Sequence, residues 1–216
     1  MSNRAANELA AEVLLTARAM NASGINRGAA GNVSVRVGDS FVITPTGMSY
    51  DDCLPEDMVT VSIDDGAATG RRKPSSEWRF HRDIYAARAE AGAIVHCHSS
   101  FATALACQGS EIPPFHYMIA RFGGDTVRCA AYATFGSQAL SDVMLIALQG
   151  RRACLMAHHG MTVFGGDLKE ALALAIELET LCEQYYRVLQ LGQPRWLPAD
   201  EMARVIEKFK GYGRQD

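Results

Sequence analysis

None of the six cysteines (Cys53, Cys97, Cys107, Cys129, Cys154 and Cys182) belongs to a C-x-x-C pair. A chain of 216 residues buries enough surface to fold without covalent staples. They read as reduced thiols, mostly core filler, and a cytoplasmic location is expected. No apolar run reaches the roughly 18–20 residues of a membrane span, and no basic stretch followed by an apolar run opens the chain, so neither a membrane partner nor a secretory signal is expected. The net charge of −3 and pI of about 6.1 leave no basic footprint for nucleic acid or an acidic bilayer. The cluster Arg71-Arg72-Lys73 is too short to change that and reads as a solvated loop. No Gly-Lys-Ser/Thr follows the small-residue stretch Gly28-Ala29-Ala30-Gly31, and a strand rather than a helix comes after it, which excludes a Walker loop. Internal repeats and low-complexity segments are absent from the sequence as well.

What the chain does have is a 48% hydrophobic content, enough for one core, and the expectation is a single domain over residues 1–216. Helical spacing predicts helices over about 7–20, from Pro74 to Tyr85 with Ser75 or Ser76 as cap and Glu77 in the first turn, over 100–108, 138–148, 167–190 and 200–210. The 167–190 helix carries its apolar stripe at Leu168, Ala171, Leu172, Ala175, Ile176, Glu179, Cys182 and Tyr186. Alternation predicts strands at 33–37, 40–43, 58–63, 93–98, 127–132 and 153–157; Met161–Phe164 continues the last of these or forms its neighbour. Residues 67–73 read as a polar loop. Hairpin-like strand sets with helices between them give an α/β class fold: one three-layer domain, its central mixed and mostly antiparallel sheet flanked by helices.

The chemistry concentrates at Val95-His96-Cys97-His98. On a strand, His96 and His98 point to one face and Cys97 to the other. Two imidazoles on a rigid strand make most of a metal site, and His158-His159-Gly160, after another apolar run, offers a third from either histidine. Three neutral imidazoles match a catalytic zinc with a position left for substrate, able to polarise a carbonyl or activate water. Glu77, in the polar Pro74-Ser75-Ser76-Glu77, stands as a base or labile ligand. The Gly/Asn loop before residue 33 and Thr44-Pro45-Thr46-Gly47 read as turns that can present donors to an anion.

Taken together, Gly31-Asn32-Val33-Ser34-Val35-Arg36, Ile43-Thr44-Pro45-Thr46-Gly47, Lys73-Pro74-Ser75-Ser76-Glu77-Trp78-Arg79-Phe80-His81, Val95-His96-Cys97-His98, His116-Tyr117-Met118-Ile119-Ala120, Tyr132-Ala133-Thr134-Phe135-Gly136, His158-His159-Gly160 and the Glu207–Gly213 tail resemble the class II aldolase/adducin family, over nearly the whole chain. The resemblance implies zinc, one per chain, held by His96, His98 and His159, with Glu77 binding the metal until substrate displaces it and then serving as acid/base. It implies a phosphate site among Gly31, Asn32, Thr46, Gly47, Ser75 and Ser76. It further implies a homotetramer with sites between subunits, in which Tyr117 exchanges a proton with the substrate's C4 hydroxyl in a neighbouring site. Phe135 would line the interface, and Tyr212, in a mobile tail from about residue 205, would close over it.

The activity so implied is reversible cleavage of a small-molecule sugar phosphate, a ketose 1-phosphate such as L-fuculose 1-phosphate, to dihydroxyacetone phosphate and a lactaldehyde-like aldehyde. A salvage aldolase for 5-methylthioribulose 1-phosphate or 5-deoxyribulose 1-phosphate is the first alternative. A 4-epimerase, dehydratase or decarboxylase of the same superfamily is the second; the epimerases resemble Ser-Ser-Asp where this chain has Ser75-Ser76-Glu77, and Ser99 after His98 is the more epimerase-like feature. A non-catalytic adducin-like module would lack the histidines that are present here.

Overall fold

Valines at every second position of Asn32–Val37 (β1) put one apolar edge against a helical layer, and Gly38-Asp39 turns the chain into Ser40–Ile43 (β2), its antiparallel partner. The structure, a computed structural model, describes residues 3–211. Strands Val59–Ser62 (β3), Ala68–Thr69 (β4), Ala93–Cys97 (β5), Cys129–Ala130 (β6), Ala153–Met156 (β7) and Gly160–Gly165 (β8) complete one sheet in the order β4-β3-β2-β1-β5-β8-β7-β6. Every pairing is antiparallel except β6 with β7, so the sheet is mixed and mostly antiparallel, as expected.

Helices cover both faces. Asn3–Ala22 (α1), Ser100–Cys107 (α3) and Leu168–Gln190 (α5) pack on the face carrying Val33, Val35, Val95, Cys97 and Val163. Trp78–Ala87 (α2) and Gln138–Ala147 (α4) pack on the face carrying Phe41, Ile43, Ile94, Met156 and Phe164. Ala199–Phe209 (α6) adds Met202 to the first core. Two cores separated by a sheet make the three layers. Asp167 caps α5 by accepting from the Glu170 N–H at 2.7 Å, while the Glu170 carboxylate accepts from Gly166 N–H.

Several boundaries differ from expectation. The loop over 67–73 contains β4, an exposed two-residue edge strand, and the strand expected over 127–132 shrinks to β6. The α5 stripe runs through Leu168, Ala171, Leu174, Ala175, Leu178, Leu181, Cys182 and Tyr185, leaving Ile176 and Tyr186 exposed. This helix is rich in Ala and Leu all round, so its phase is set by what it packs against: α3, β5 and β8. Residues 205–209, expected to open the tail, form the last turns of α6; Tyr212 lies outside the described residues.

Candidate active site

The strand β5 turns His96 toward the α2 layer and leaves Cys97 in the opposite core; His98 continues the alternation just past the strand end. The β7–β8 hairpin pairs Met156 with Gly160, so Ala157-His158-His159 forms a three-residue loop. His158 is left-handed there, with φ 56°. A non-glycine residue in that region carries strain, a recurrent mark of functional sites. Across this turn the two histidines part company. His159 joins His96 and His98, while His158 stays exposed with its ring edge-on to Tyr132 at 6.0 Å. Gly160 makes the close approach possible: a Cβ there would lie 2.5 Å from the Cys97 carbonyl oxygen and 3.0 Å from His98 Cδ2.

The three imidazoles form a nearly equilateral triangle, with ring centroids 5.0, 4.9 and 4.8 Å apart. Glu77 closes it: one ligand atom from each of Glu77, His96, His98 and His159 lies within 4.8 Å of all the others. Glu77 occupies the N-cap position of α2, yet its carboxylate does not cap the helix. Ser75, expected as a cap, instead accepts a hydrogen bond from the Glu77 N–H through its hydroxyl. The carboxylate is thereby free to reach His96 Nε2 at 3.0 Å and His159 Nε2 at 3.2 Å.

Proton positions show what this cluster fits. His96 Nδ1 lies 2.8 Å from the Met161 carbonyl oxygen, which accepts only, so Nδ1 bears the hydrogen. With Nδ1–H committed there, His96 Nε2 faces Glu77 Oε2 at 3.0 Å and His98 Nε2 at 3.2 Å. Ring nitrogens and carboxylate oxygens converge on one point, and the buried Glu77 Oε1, though 3.2 Å from His159 Nε2, makes no well-aligned hydrogen bond among the described residues. A divalent cation answers both: the donor set of three imidazoles and a carboxylate fits such an ion. Burial pushes the pKa of His98 down to about 4, with the neighbouring His96 adding to the effect against the opposing pull of Glu77; His159 is pushed down to about 4 for the same reasons. Burial would lift Glu77, but His96, His159 and the Asn32 amide outweigh it and bring its pKa to about 2. His98 and His159 are therefore neutral beside an ionised Glu77, the protonation state that metal ligation requires of them.

The loops expected to hold phosphate are gathered beside this cluster. Asn32 pairs directly with His96 across β1 and β5. Thr46 N–H donates to the Lys73 carbonyl and Ser75 N–H to the Thr44 carbonyl, which ties the 44–47 turn to the 73–76 segment. Thr46, Gly47 and Ser76 are exposed on these loops, and Gly47 is left-handed with φ 67°. Gly31 admits no side chain: its Cβ would lie 2.4 Å from the His96 carbonyl oxygen, and its own carbonyl accepts from the Tyr50 hydroxyl. The Asn32 side chain is buried between Glu77 and His81. A cavity of about 350 Å³ opens at the cluster, lined by Glu77, His98 and His159 together with Ala30, Ser76, Tyr132, Ala133, Phe135 and His158. Phe135 stands exposed at its rim. Tyr117 begins a 3-10 helix at Tyr117–Phe122, is half exposed, stacks on Phe209 with ring centroids 6.4 Å apart and lines a different groove along α6.

Sequence reasoning missed four residues of this neighbourhood: Ser34, His81, Tyr85 and Glu179. The first three were visible as spacing, since Asn32 and Ser34 are two apart on a strand while Glu77, His81 and Tyr85 are four apart on a helical segment. Glu179, a carboxylate in an apolar stripe, accepts from Ser99 Oγ at 2.7 Å, Phe101 N–H at 2.8 Å and Ala102 N–H at 2.9 Å. It caps α3 from another helix and pins the turn that follows His98.

Comparison with known proteins agrees with this architecture. Residues 11–186 match the family described as Class II Aldolase and Adducin N-terminal domain. A 5-methylthioribulose-1-phosphate/5-deoxyribulose-1-phosphate aldolase of Rhodospirillum rubrum is 55% identical over 197 residues, 91% of this chain and 89% of that protein. An L-fuculose phosphate aldolase of Escherichia coli is 43% identical over 208 residues, 96% of each chain. A solved L-fuculose 1-phosphate aldolase superposes with a TM-score of 0.91 at 35% identity, covering 94% of this chain and 96% of that one. With a family match over most of its length, relatives this similar and a four-ligand cluster in place, the chain belongs to the class II aldolase/adducin family and is a metal-dependent lyase of the aldolase type.

Proposed function

We propose that the protein cleaves a ketose 1-phosphate reversibly to dihydroxyacetone phosphate and an aldehyde, and that its preferred substrates carry a 5-methylthio or 5-deoxy end. The observation that carries the reading is the ionised Glu77 clustered with three imidazoles beside a cavity that Tyr132, Ala133 and Phe135 also line. A wall of rings and a methyl group suits an apolar methylthio or methyl terminus, and the 55% identical relative bears the name of that activity. L-Fuculose 1-phosphate, which has a further hydroxyl next to its methyl group, is the second reading, favoured by the 43% identical relative.

Zinc is the metal the imidazole-rich donor set suits, held by His96, His98 and His159 with Glu77 as a displaceable fourth ligand. When bound, such an ion supplies Lewis-acid polarisation of the substrate carbonyl. Glu77, ionised at neutral pH, takes the C3 proton in the synthetic direction and returns it in cleavage. Gly31, Asn32, Thr46, Gly47, Ser75 and Ser76 are assigned the phosphate; the Thr46 and Ser75 N–H groups are committed to the Lys73 and Thr44 carbonyls, so these two residues would act through their hydroxyls. Tyr117 is exposed and lines no part of its own chain's cavity, in keeping with service to the site of a neighbouring subunit, where it removes the C4 hydroxyl proton. That arrangement calls for a homotetramer or another assembly with shared sites, and Phe135 at the cavity rim meets the neighbour there. Tyr212 follows α6 in the chain and is assigned the closing role. The unpaired thiols are in keeping with a cytoplasmic location.

The test is a coupled assay for dihydroxyacetone phosphate over a panel of ketose 1-phosphates, with ribulose 5-phosphate as the epimerase control. The expected result is release from all three ketose 1-phosphates, with the highest kcat/KM for the 5-methylthio or 5-deoxy compound. Release from none of them, or epimerisation of the control, overturns the reading.

A further inference from the structure

A row of buried polar groups runs away from Glu77 into the space between β1 and α2. Asn32 Nδ2 lies 3.1 Å from Glu77 Oε2, Asn32 Oδ1 meets His81 Nε2, His81 Nδ1 lies 2.7 Å from Ser34 Oγ, and Ser34 Oγ lies 2.7 Å from the Tyr85 hydroxyl. All of these residues are buried: Ser34 and His81 are 0% exposed, Tyr85 1%, Asn32 2% and Glu77 5%. The row exists because two periods mesh. Residues 32 and 34 stand on one face of a strand, and residues 77, 81 and 85 stand one helical turn apart on the element packed against it.

The donors in this row have only one consistent arrangement. An ionised carboxylate only accepts, so the Asn32 amide must direct its NH2 at Glu77 and its oxygen at His81. That oxygen only accepts, so His81 carries its hydrogen on Nε2. His81 Nδ1 is then a lone pair and must accept from the Ser34 hydroxyl. Ser34 Oγ in turn accepts from the Tyr85 hydroxyl. Every hydrogen points toward Glu77, an alignment in which each bond polarises the next. Burial holds His81 neutral, pushing its pKa down to about 3, with the nearby His96 acting in the same direction. An amide does not hand a proton on under ordinary conditions, so the row orients Glu77 rather than conducting protons from it.

We propose that His81 is a positioning residue for the active site: its Nε2–H locks the Asn32 amide in the one orientation that holds Glu77 Oε2, and so prepares the carboxylate for the metal and for proton transfer. Without that lock the Asn32 side chain is free to flip and turn its oxygen on a carboxylate. The inference rests on the aldolase reading of Glu77, but two of its three measurements do not involve the reaction at all.

The His81 ring stacks on Phe80, with centroids 4.6 Å apart, and more distantly on Phe41, at 6.4 Å. His81→Phe therefore keeps the shape and removes both polar atoms, whereas His81→Gln keeps an N–H donor on a side chain of similar reach. The first measurement is histidine-ring nitrogen NMR of the metal-free protein, its His81 signal assigned by loss in His81→Gln. The expected signal is that of a neutral ring protonated at Nε2; a ring protonated at Nδ1 or at both nitrogens overturns the proposal. The second is zinc affinity by competition with a chromophoric chelator. His81→Phe is expected to lose ~10–100-fold, the usual range for an outer partner of a metal ligand, and His81→Gln to recover part of it. The third is steady-state kinetics, where kcat falls in His81→Phe with KM little changed.

A merely structural histidine predicts the reverse pattern: lowered thermal stability in both variants, with zinc affinity and kcat per bound zinc unchanged. That result overturns the proposal. Should His81→Phe fail to fold, Ser34→Ala serves in its place. It removes the hydroxyl that fixes the tautomer and is expected to give a mixed Nδ1–H and Nε2–H population with a smaller loss of zinc affinity; an unaltered tautomer with unaltered affinity overturns the proposal. If the tautomer and affinity results hold while no ketose 1-phosphate is cleaved, the positioning role stands and the substrate reading falls.

Discussion

Asn32 and His96 are direct partners across the β1–β5 ladder, so the start of the Gly31-Asn32 loop and the first metal-type ligand share one rung of the sheet. A rung is the most rigid link the fold offers between two segments 64 positions apart in sequence. It fixes the spacing between the Gly31-Asn32 segment and the imidazole cluster through the backbone, and the Asn32 amide adds a side-chain link to Glu77.

The imidazole triangle and Glu77 should hold about one zinc per purified chain, measured by elemental analysis against protein concentration. Prolonged dialysis against a chelator should abolish turnover and lower the melting temperature, both restored by zinc, because a ligand bound only by the native state stabilises it. Full activity in the metal-free protein would refute the site.

Replacing Glu77 by Gln retains the shape of the side chain and an oxygen for the Asn32 amide to meet, while it removes the charge and the proton-transfer function. Folding should be preserved, and kcat should fall roughly 100- to 10,000-fold, the range general acid–base groups contribute. Circular dichroism and kcat from the same preparation decide it; an unchanged rate excludes the role.

Acid should destabilise the metal-free protein through the histidines that the fold holds neutral. His81, His98 and His159 have native pKa values of about 3, 4 and 4, all below the 6.5 of an unfolded histidine. In that window the unfolded chain binds more protons than the native one, so stability is full above about pH 6.5 and is lost as pH falls toward about 4. For the fully buried His81 alone the loss at about pH 5 is ~2 kcal/mol. Melting temperatures across this range, with chelator present, should decline steadily; a flat profile would contradict the assignment of neutral rings.

At Gly160 an added methyl group would meet the Cys97 carbonyl and the edge of the His98 ring. Gly160→Ala should therefore force the β7–β8 hairpin away from β5, with a stability loss of ~1–3 kcal/mol from overpacking and a larger proportional loss of zinc affinity as His159 recedes. Denaturant unfolding and chelator competition on the same variant separate the two effects; full zinc affinity in a folded protein would show that the hairpin does not set the site.

The parts of this molecule written in short-range patterns were legible. Alternating valines gave β1, the Gly38-Asp39 turn gave its hairpin with β2, and a His-x-His at the end of an apolar run placed two ligands on one face. What escaped depended on distant partners. The strand β4 is two exposed residues that exist only because β3 lies beside them. The phase of α5 could not be taken from a helix apolar on every side, and Ile176 and Tyr186 turned outward. Which of His158 and His159 enters the cluster hinges on a left-handed backbone at His158, and periodicity carries no trace of that. The resemblance to a known family pointed to His159 where local pattern stayed neutral. The orientation of Asn32 toward Glu77 and His81 became visible only when β1 met α2.

Glu179 reaches Ser99, Phe101 and Ala102 from a helix on the other side of the sheet from the Glu77 helix. Surface changes along that helix, such as those selected to suit a new subunit contact, act on a lever whose far end is the loop leaving His98. The grip on the cation is thus open to retuning by drift in a layer that never touches it, and relatives with identical ligands would be expected to differ in how tightly they keep their metal.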